Sequence, residues 1–209
     1  MSIASRVARY NRERKLRLFL DTLNPGPETT VLDVGFTDAE YHDTDNYLEK
    51  YYPYPQRITA LGIDSPKEFP RRYPEVKVVR YDGRIFPFRD EAFDACWSNG
   101  VFEHVGGRER QELFLREIKR VSKLAFVTSG YRYFPVELHT GTLLLHWFLP
   151  KRLFRAYLRL RRKYWWATDY LYLVRMRDVK AALRGAGISK YRILRHKVAG
   201  FTYNLIIIF

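Results

Sequence analysis

The sequence holds a single cysteine, Cys96, in 209 residues. No internal disulfide can form, and one thiol fits a reducing compartment. No apolar run approaches the roughly 20 residues that a membrane-spanning helix needs; the longest candidate, 205–209, is strand-sized. The basic stretch SIASRVARYNRERK has no apolar segment behind it, which argues against a signal peptide, so the expected location is the cytoplasm. Acids are scarce in one region: residues 151–197 hold fifteen Lys/Arg against two Asp/Glu. Residues 21–150 hold sixteen against twenty, and residues 1–20 six against one. The net charge of +14 is therefore concentrated toward the C-terminus, while the middle of the chain is slightly acidic. Glycine is missing at a telling place. VLDVGFTDAEYH, residues 31–42, opens as a buried strand ending in Asp33 and Gly35, but Thr37 and Ala39 stand where a G-x-G-x-G loop would continue. The segment is either a cofactor loop of unusual build or a strand that ends in Gly.

What is present suits one α/β domain with additions. A hydrophobic share of 46% is ample for a core. Helical spacing runs over 5–23 and is stopped by Asn24-Pro25-Gly26-Pro27. Strands are expected at 30–34, 57–63, 76–81, 93–98 and 124–128, with a short helix at 45–51 and an amphipathic one at 108–121 turning Leu113, Phe114, Ile118 and Val121 inward. Helical patterns follow near 143–148, 153–162 and 177–183, the last capped by Gly185 and Gly187. Two strands, 191–197 and 201–209, are too close for a helical crossover and should pair antiparallel across Ala199-Gly200. Strands alternating with helices predict a mostly parallel sheet of seven strands with helices on both faces and a C-terminal antiparallel hairpin. The expected organisation is a single domain: an N-terminal helix (1–24), a cofactor-binding core (30–130), an acceptor or lid region with a basic helix (131–187), and the hairpin (188–209).

In such sheets ligands bind beyond the carboxyl ends of the strands. Four strands end in Asp33-x-Gly35, Asp64, Asp82-Gly83 and Ser98-Asn99. A strand-ending Asp is often only a cap or turn residue, but the order of these four is informative. Asp64 lies about thirty residues beyond Gly35, where an acid can accept both ribose hydroxyls, and Asp82 follows the next strand, where a carboxylate can reach an adenine amino group. The segments VLDVG, LGID, VRYDGRIFPFRDEAFDACWSNGVFEHV and RERQELFLREIKRVSK together resemble the Rossmann-like class I S-adenosylmethionine-dependent methyltransferases, in the type 11-like branch that acts on small molecules. The resemblance implies that S-adenosyl-L-methionine is the cofactor. It implies that Asp33 and Gly35 frame the methionine end, Asp64 holds the ribose, Asp82 and the Gly83 backbone hold the adenine, and Ser98 and Asn99 line the pocket near the sulfonium. That cofactor has no phosphates, so its loop need not be a phosphate cradle. The loop is also similar to a subgroup reading D-V-G-x-x-x-x-E and then N-Y-L-E-K-x-Y-P-Y-P, which implies that Glu40 replaces the usual loop contacts. Proteins of this subgroup are often found in surface-polysaccharide or other envelope gene clusters.

The acceptor side is expected in SGYRYFPVELHTGTLLLHWFLP, residues 129–150, where the same subgroup carries a similar F-P-x-E-x-H-T stretch. Glu137 and His139 lie two apart in a segment read as extended, so both can face one side. Methyl transfer to a hydroxyl needs an aligned nucleophile and a base for its proton; His139, oriented by Glu137, is the candidate base, with a purely bracing role as the alternative. His104 is expected to be structural, because the resembling proteins carry it at a helix start behind the cofactor. His146 follows His139 at i+7 without a third ligand, so no metal is expected. Asn99 is followed by Gly-Val, not by the Pro-Pro-aromatic run of enzymes that methylate base amines and glutamine, which argues against those acceptors.

KRLFRAYLRLRRKYWW, residues 151–166, holds seven basic residues and no acid. Leu153, Phe154, Tyr157 and Leu158 form one expected stripe, and Arg152, Arg155, Arg159 and Arg162 another. Three readings remain open: a lid helix with solvated arginines, an interfacial helix on anionic lipid at the inner face of the membrane, and a nucleic-acid groove with Tyr, Trp165 and Trp166 as stacking platforms. The expected acceptor is a hydroxyl of a sugar, a lipid-linked glycan or another small molecule. RNA, and a non-catalytic binding protein of the same fold, are the alternatives; the oligomeric state is not read from the sequence.

Overall fold

The computed structural model describes residues 3–137, 139–168 and 171–209, without the side chains of residues 3–5 and of Trp165; the stacking expected of Trp165 falls outside the described atoms. The chain divides into two compact units. The first runs to Ser98 and takes in Ile118–Phe126; the second comprises Asn99–Glu117 and Val127–Phe209.

The first unit contains α1 (Ile3–Leu23), β1 (Val31–Val34), α2 (Tyr47–Tyr51), β2 (Ile58–Gly62), α3 (Phe69–Arg72), β3 (Lys77–Arg80) and most of β4 (Phe93–Asn99). Every residue of β1 and β2 is buried, as in a parallel sheet covered on both faces. β1 pairs parallel with β2 (Val31 opposite Ile58) and with β4 (Val31 opposite Ala95), and β2 pairs parallel with β3. Phe19 of α1 is fully buried, its ring 5.0 Å from Trp97 and edge-on to Phe126 at 5.5 Å; Trp97 and Phe126 stack at 5.2 Å. Cys96 sits fully buried in β4, and burial pushes its thiol well above the ordinary value.

Two elements run through both units: α4 (Arg108–Val121) and β5 (Ser122–Gly130). The α4 bounds match the amphipathic pattern, although Leu115 rather than Leu113 joins Phe114, Ile118 and Val121 in full burial.

The second unit adds β6 (Val136–Glu137), β7 (Thr142–Leu143), α5 (Leu145–Phe148), α6 (Lys151–Leu160), α7 (Met176–Gly185), β8 (Arg192–Val198) and β9 (Phe201–Ile208). β8 and β9 form the expected antiparallel hairpin, turning through Ala199 (φ 48°) and Gly200 (φ 82°), the left-handed pair that a tight hairpin turn needs. The strand order of the seven-stranded sheet is β3-β2-β1-β4-β5-β9-β8.

Three local expectations are corrected. The segment around 143 is not wholly helical, because Thr142–Leu143 pairs with Val136–Glu137 as a small antiparallel ribbon. Of the two glycines expected to cap α7, only Gly187 (φ 69°) does so; Gly185 is the last helical residue, where a Cβ would come 2.2 Å from the Glu112 carboxylate. Leu153 leaves the apolar stripe of α6: Phe154 and Leu158, four apart, are buried with Ala167, whereas Leu153 and Leu160, seven apart, face outward. Among the described residues no helix is long and apolar enough to cross a membrane.

Candidate active site

In the first unit the expected cofactor residues gather at the carboxyl ends of β1, β2 and β3. The register pairs Gly62 with Arg80, so Asp64 and Asp82, each two residues further on, occupy equivalent places past neighbouring strands, and both are exposed. Asp82 also accepts the Arg84 amide at 2.8 Å, which fixes the turn through Gly83 (φ 78°). Gly35 is exposed with φ 109°, its amide still bound to the Leu61 carbonyl at 2.8 Å. Ser98 is fully buried and its hydroxyl donates to the Val34 carbonyl at 3.2 Å, bracing β4 against β1.

The loop without glycines is held by side chains. Phe36 is buried against Phe69 at 4.6 Å between rings, and it lies on the Gly62 backbone so closely that a Cβ there would come 2.6 Å from its ring. Asp38 accepts the amides of Lys67, Glu68 and Phe69, fixing the start of α3. Asn46 spans the loop, accepting the Thr37 amide at 2.9 Å and donating to the Thr37 carbonyl at 2.8 Å. Glu40 accepts from Asn46 and the Tyr73 hydroxyl and pairs with Lys50 at 3.0 Å. Burial would raise its carboxyl, but the hydrogen bonds from Tyr73 and Lys50 outweigh it and the net direction is down. Glu40 thus serves as the knot of the loop.

Beneath this loop Asp33 and Glu49 form a buried pair. Burial first, and the Glu49 carboxylate second, push the Asp33 carboxyl well above the usual range, against Arg12; burial also raises Glu49. Glu49 faces Asp33, and its carboxylate oxygens meet no other side-chain donor among the described residues. Two acids this close cannot both ionise, so the pair keeps a proton.

In the second unit Glu137, the last residue of β6, is buried where the strand gives way to a tight turn: the Gly141 amide returns to its carbonyl at 2.7 Å. Its carboxylate accepts from the His139 amide (3.1 Å), the His139 Nδ1–H (2.8 Å), and the Thr140 amide (2.7 Å) and hydroxyl. Burial opposes ionisation, but these bonds win and bring Glu137 down to about 2. For His139 burial pulls down, the Glu137 bond and charge push up more strongly, and the net direction is up. His104 is not at a helix start: it lies in the turn before α4, its ring 4.9 Å from His139 and 6.4 Å from Trp166, while His139 lies 4.9 Å from Trp166. Glu103 beside it is buried and accepts from the Ser129 hydroxyl (2.8 Å) and the Gly130 amide (3.0 Å). Asn99 accepts from the Thr128 hydroxyl at 2.7 Å. His146 is buried with Nε2 at 3.0 Å from the Phe134 carbonyl, apart from the imidazole pair.

Comparison with known proteins shows what this arrangement resembles. Residues 33–124 match the family model described as a methyltransferase domain. Over that stretch the chain is similar to a methyltransferase domain. A glycine/sarcosine/dimethylglycine N-methyltransferase of Actinopolyspora halophila is 28% identical over 123 residues, which are 53% of this chain and 20% of that protein. The chain thus spans only a fifth of that relative's length. Among solved structures, an S-adenosylmethionine-dependent methyltransferase from Aquifex aeolicus superposes with a TM-score of 0.56 at 19% identity, covering 92% of this chain and 87% of that one. A 1,6-didemethyltoxoflavin-N1-methyltransferase from Burkholderia thailandensis, with S-adenosylhomocysteine bound, gives 0.59 at 15% identity, covering 95% and 76%. These two share the fold.

The residues of the first unit fit S-adenosylmethionine. The donor-poor Asp33–Glu49 pair suits an ammonium, which the methionine end carries, and the exposed Asp64 and Asp82 suit hydroxyl and amino donors. Glu49, Phe36, Asn46 and Tyr73 were not anticipated as parts of this site. The N-Y-L-E-K run held both Asn46 and Glu49, whereas Phe36 and Tyr73 depend on contacts across about thirty residues of chain and carry no local signal. Glu103 and His104 complete a second unanticipated group: with His139 they bring one ligand atom each within 4.8 Å of one another.

Proposed function

We propose that this methyltransferase moves a methyl group from S-adenosylmethionine to a hydroxyl of a sugar, a lipid-linked glycan or another small molecule. When bound, the cofactor supplies an electrophilic methyl carbon on a sulfonium. Asp33 and Glu49 would take its ammonium, Asp64 the ribose hydroxyls and Asp82 the adenine amino group. The Glu137–His139 pair carries the reading of the acceptor side. A buried carboxylate fixes Nδ1 as the protonated nitrogen, which leaves Nε2 to receive the proton that the acceptor hydroxyl gives up as its oxygen attacks. The alternative acceptor is an amine, favoured by the N-methyltransferase named above; it would need the same base to lose its ammonium proton.

A second reading concerns location: peripheral association with an anionic membrane from the cytoplasmic side. Its support is the outward face around α6, where Leu160 and Phe148 are 83% and 76% exposed beside Leu153, Arg152, Arg159 and Arg162. Apolar side chains amid arginines are the makeup of an interfacial helix, and a lipid-linked acceptor would be met there. RNA binding is the rival use of the same charge.

The test begins with calorimetry. S-adenosylhomocysteine should bind and raise the melting temperature, and Asp64→Ala should remove most of that shift. Labelled cofactor incubated with cell fractions then shows whether label enters lipid-glycan, small molecules or RNA. Failure of wild-type protein to bind at millimolar ligand defeats the enzymatic reading; label only in RNA defeats the acceptor. Sedimentation with anionic and neutral vesicles checks the membrane reading. Binding that is lost on replacing Arg152, Arg159 and Arg162 with Gln, and at high salt, is the expected result.

A further inference from the structure

The second unit encloses a cavity of about 440 Å³, within the range of small-molecule sites. Its wall carries five cations from separate parts of the unit: Arg108 at the start of α4, Arg132 after β5, Lys151 and Arg155 one turn apart on α6, and Arg175 at the N-terminus of α7. Among the described residues the wall's one carboxylate is Asp178, which Arg175 grips with two bonds of 2.8 and 3.1 Å, and Arg108 is paired with Glu112 behind the wall at 2.8 Å, which leaves Arg132, Lys151 and Arg155 as the positive excess. The lining therefore has a clear positive excess in a partly dehydrated space, where a Coulomb attraction is screened far less than at an open surface. Phe154, Trp166, Leu171 and Val174 supply an apolar wall beside the charges. Trp166 also stands 4.9 Å from the His139 ring, so the cavity wall reaches the candidate base.

We infer that this cavity binds a phosphoryl or pyrophosphoryl group of the methyl acceptor. The inference rests on the methyltransferase reading and narrows its substrate class. Guanidinium groups match phosphate oxygens with paired N–H donors, and a positive excess on this scale calls for a ligand bearing more than one negative charge. Lys151 is already braced, its Nζ 3.1 Å above the Tyr172 ring, and Arg132 is anchored to the Leu149 carbonyl at 3.1 Å. Both are held in place before any anion arrives, which lowers the ordering cost of binding. Burial, and then the charge of Arg175, pull Arg132 below its ordinary value; a bound anion relieves both effects. The apolar wall suits the organic part of such an acceptor. The phosphoryl group can come from a soluble phosphorylated compound or from a lipid-borne one, and the cavity chemistry is the same for both.

The full chain is titrated with inorganic pyrophosphate at low salt, with S-adenosylhomocysteine in a parallel cell. Pyrophosphate should bind, and Arg132→Gln or Arg155→Gln should weaken it at least tenfold. Arg184→Gln, exposed on α7 and outside the lining, should leave it unchanged. Should Arg132→Gln misfold, Arg155→Gln and Lys151→Gln carry the comparison. Vesicles holding phosphatidic acid in phosphatidylcholine distinguish the sources: competition with pyrophosphate identifies a lipid-borne group, and its absence a soluble one. No pyrophosphate binding, or equal losses in Arg155→Gln and Arg184→Gln, overturns the inference. Because the homocysteine product is titrated separately, its binding without pyrophosphate defeats only the cavity. Pyrophosphate binding without it defeats only the methyltransferase reading.

Discussion

His139 Nδ1 stands 2.8 Å from Glu137 Oε1, and the carboxylate side chain is 1% exposed while the imidazole is 25% exposed. A sealed acid therefore holds a partly open base. His139→Gln should lower kcat by about 10²–10⁴-fold with S-adenosylhomocysteine affinity unchanged. Only neutral His139 accepts a proton, and its folded pKa is raised above the ordinary 6.5. The wild-type rate should rise with pH through a midpoint above that value. Glu137→Gln should move the midpoint down; identical profiles for the two proteins would remove His139 as the base.

The same pair sets a pH window for stability. Glu137 falls from the ordinary 4.5 to about 2 in the fold, so its contribution is present above about pH 4.5 and fades as pH drops toward 2. His139 is raised, so its contribution is full below 6.5 and fades as pH rises through its folded value. The coupling free energy from a double-mutant cycle, measured by urea unfolding, should be largest between those limits. A coupling that does not vary from pH 4 to 9 contradicts the ion pair.

Asp33 and Glu49 behave in the opposite sense. Both carboxyls are raised, so the native state binds more protons than the unfolded chain and stability should fall as pH climbs through their titration. Glu49→Gln removes the like charge and supplies a donor to Asp33. It should raise the urea midpoint more at pH 8 than at pH 5, and weaken S-adenosylhomocysteine binding. An equal effect at both pH values rules out the shared proton.

The contact between Phe36 and Gly62 should be non-additive. Phe36→Ala empties a buried site and should cost about 3–5 kcal/mol. Gly62→Ala puts a methyl 2.6 Å from the ring and should destabilise the wild-type chain, but far less on the Phe36→Ala background. Additive losses in thermal or urea unfolding would mean that the ring does not rest there.

Glu103, His104 and His139 are close enough to chelate a transition ion. Because a bound ion would occupy the imidazole that proton transfer uses, Zn²⁺ should inhibit methyl transfer and EDTA should restore it. His104→Ala should blunt the inhibition; unchanged sensitivity would place the ion elsewhere.

How much the sequence disclosed follows how local each signal was. α4 lies at its expected bounds because its amphipathic repeat is complete within fourteen residues. The β8–β9 turn was equally plain from Ala199-Gly200. α3 was invisible: it has four residues, and its start is fixed by Asp38, about thirty residues earlier in the chain. Helical spacing on α6 offered two apolar stripes and could not say which one faces the core. Only packing distinguishes Leu158 from Leu153. The strand-end acids stood out because strand periodicity ends there, whereas Glu49, Glu103 and the cavity arginines become a site only when distant segments meet.

The position of Cys96 has a practical consequence. Its thiol is fully buried in the middle of β4 and shifted away from the reactive thiolate form. Toward maleimides and similar reagents the native chain should behave as if it had no cysteine. A fluorophore or spin label can therefore be attached at one introduced cysteine, on the outward face of α6 for example, and report from that position without background from the wild-type thiol.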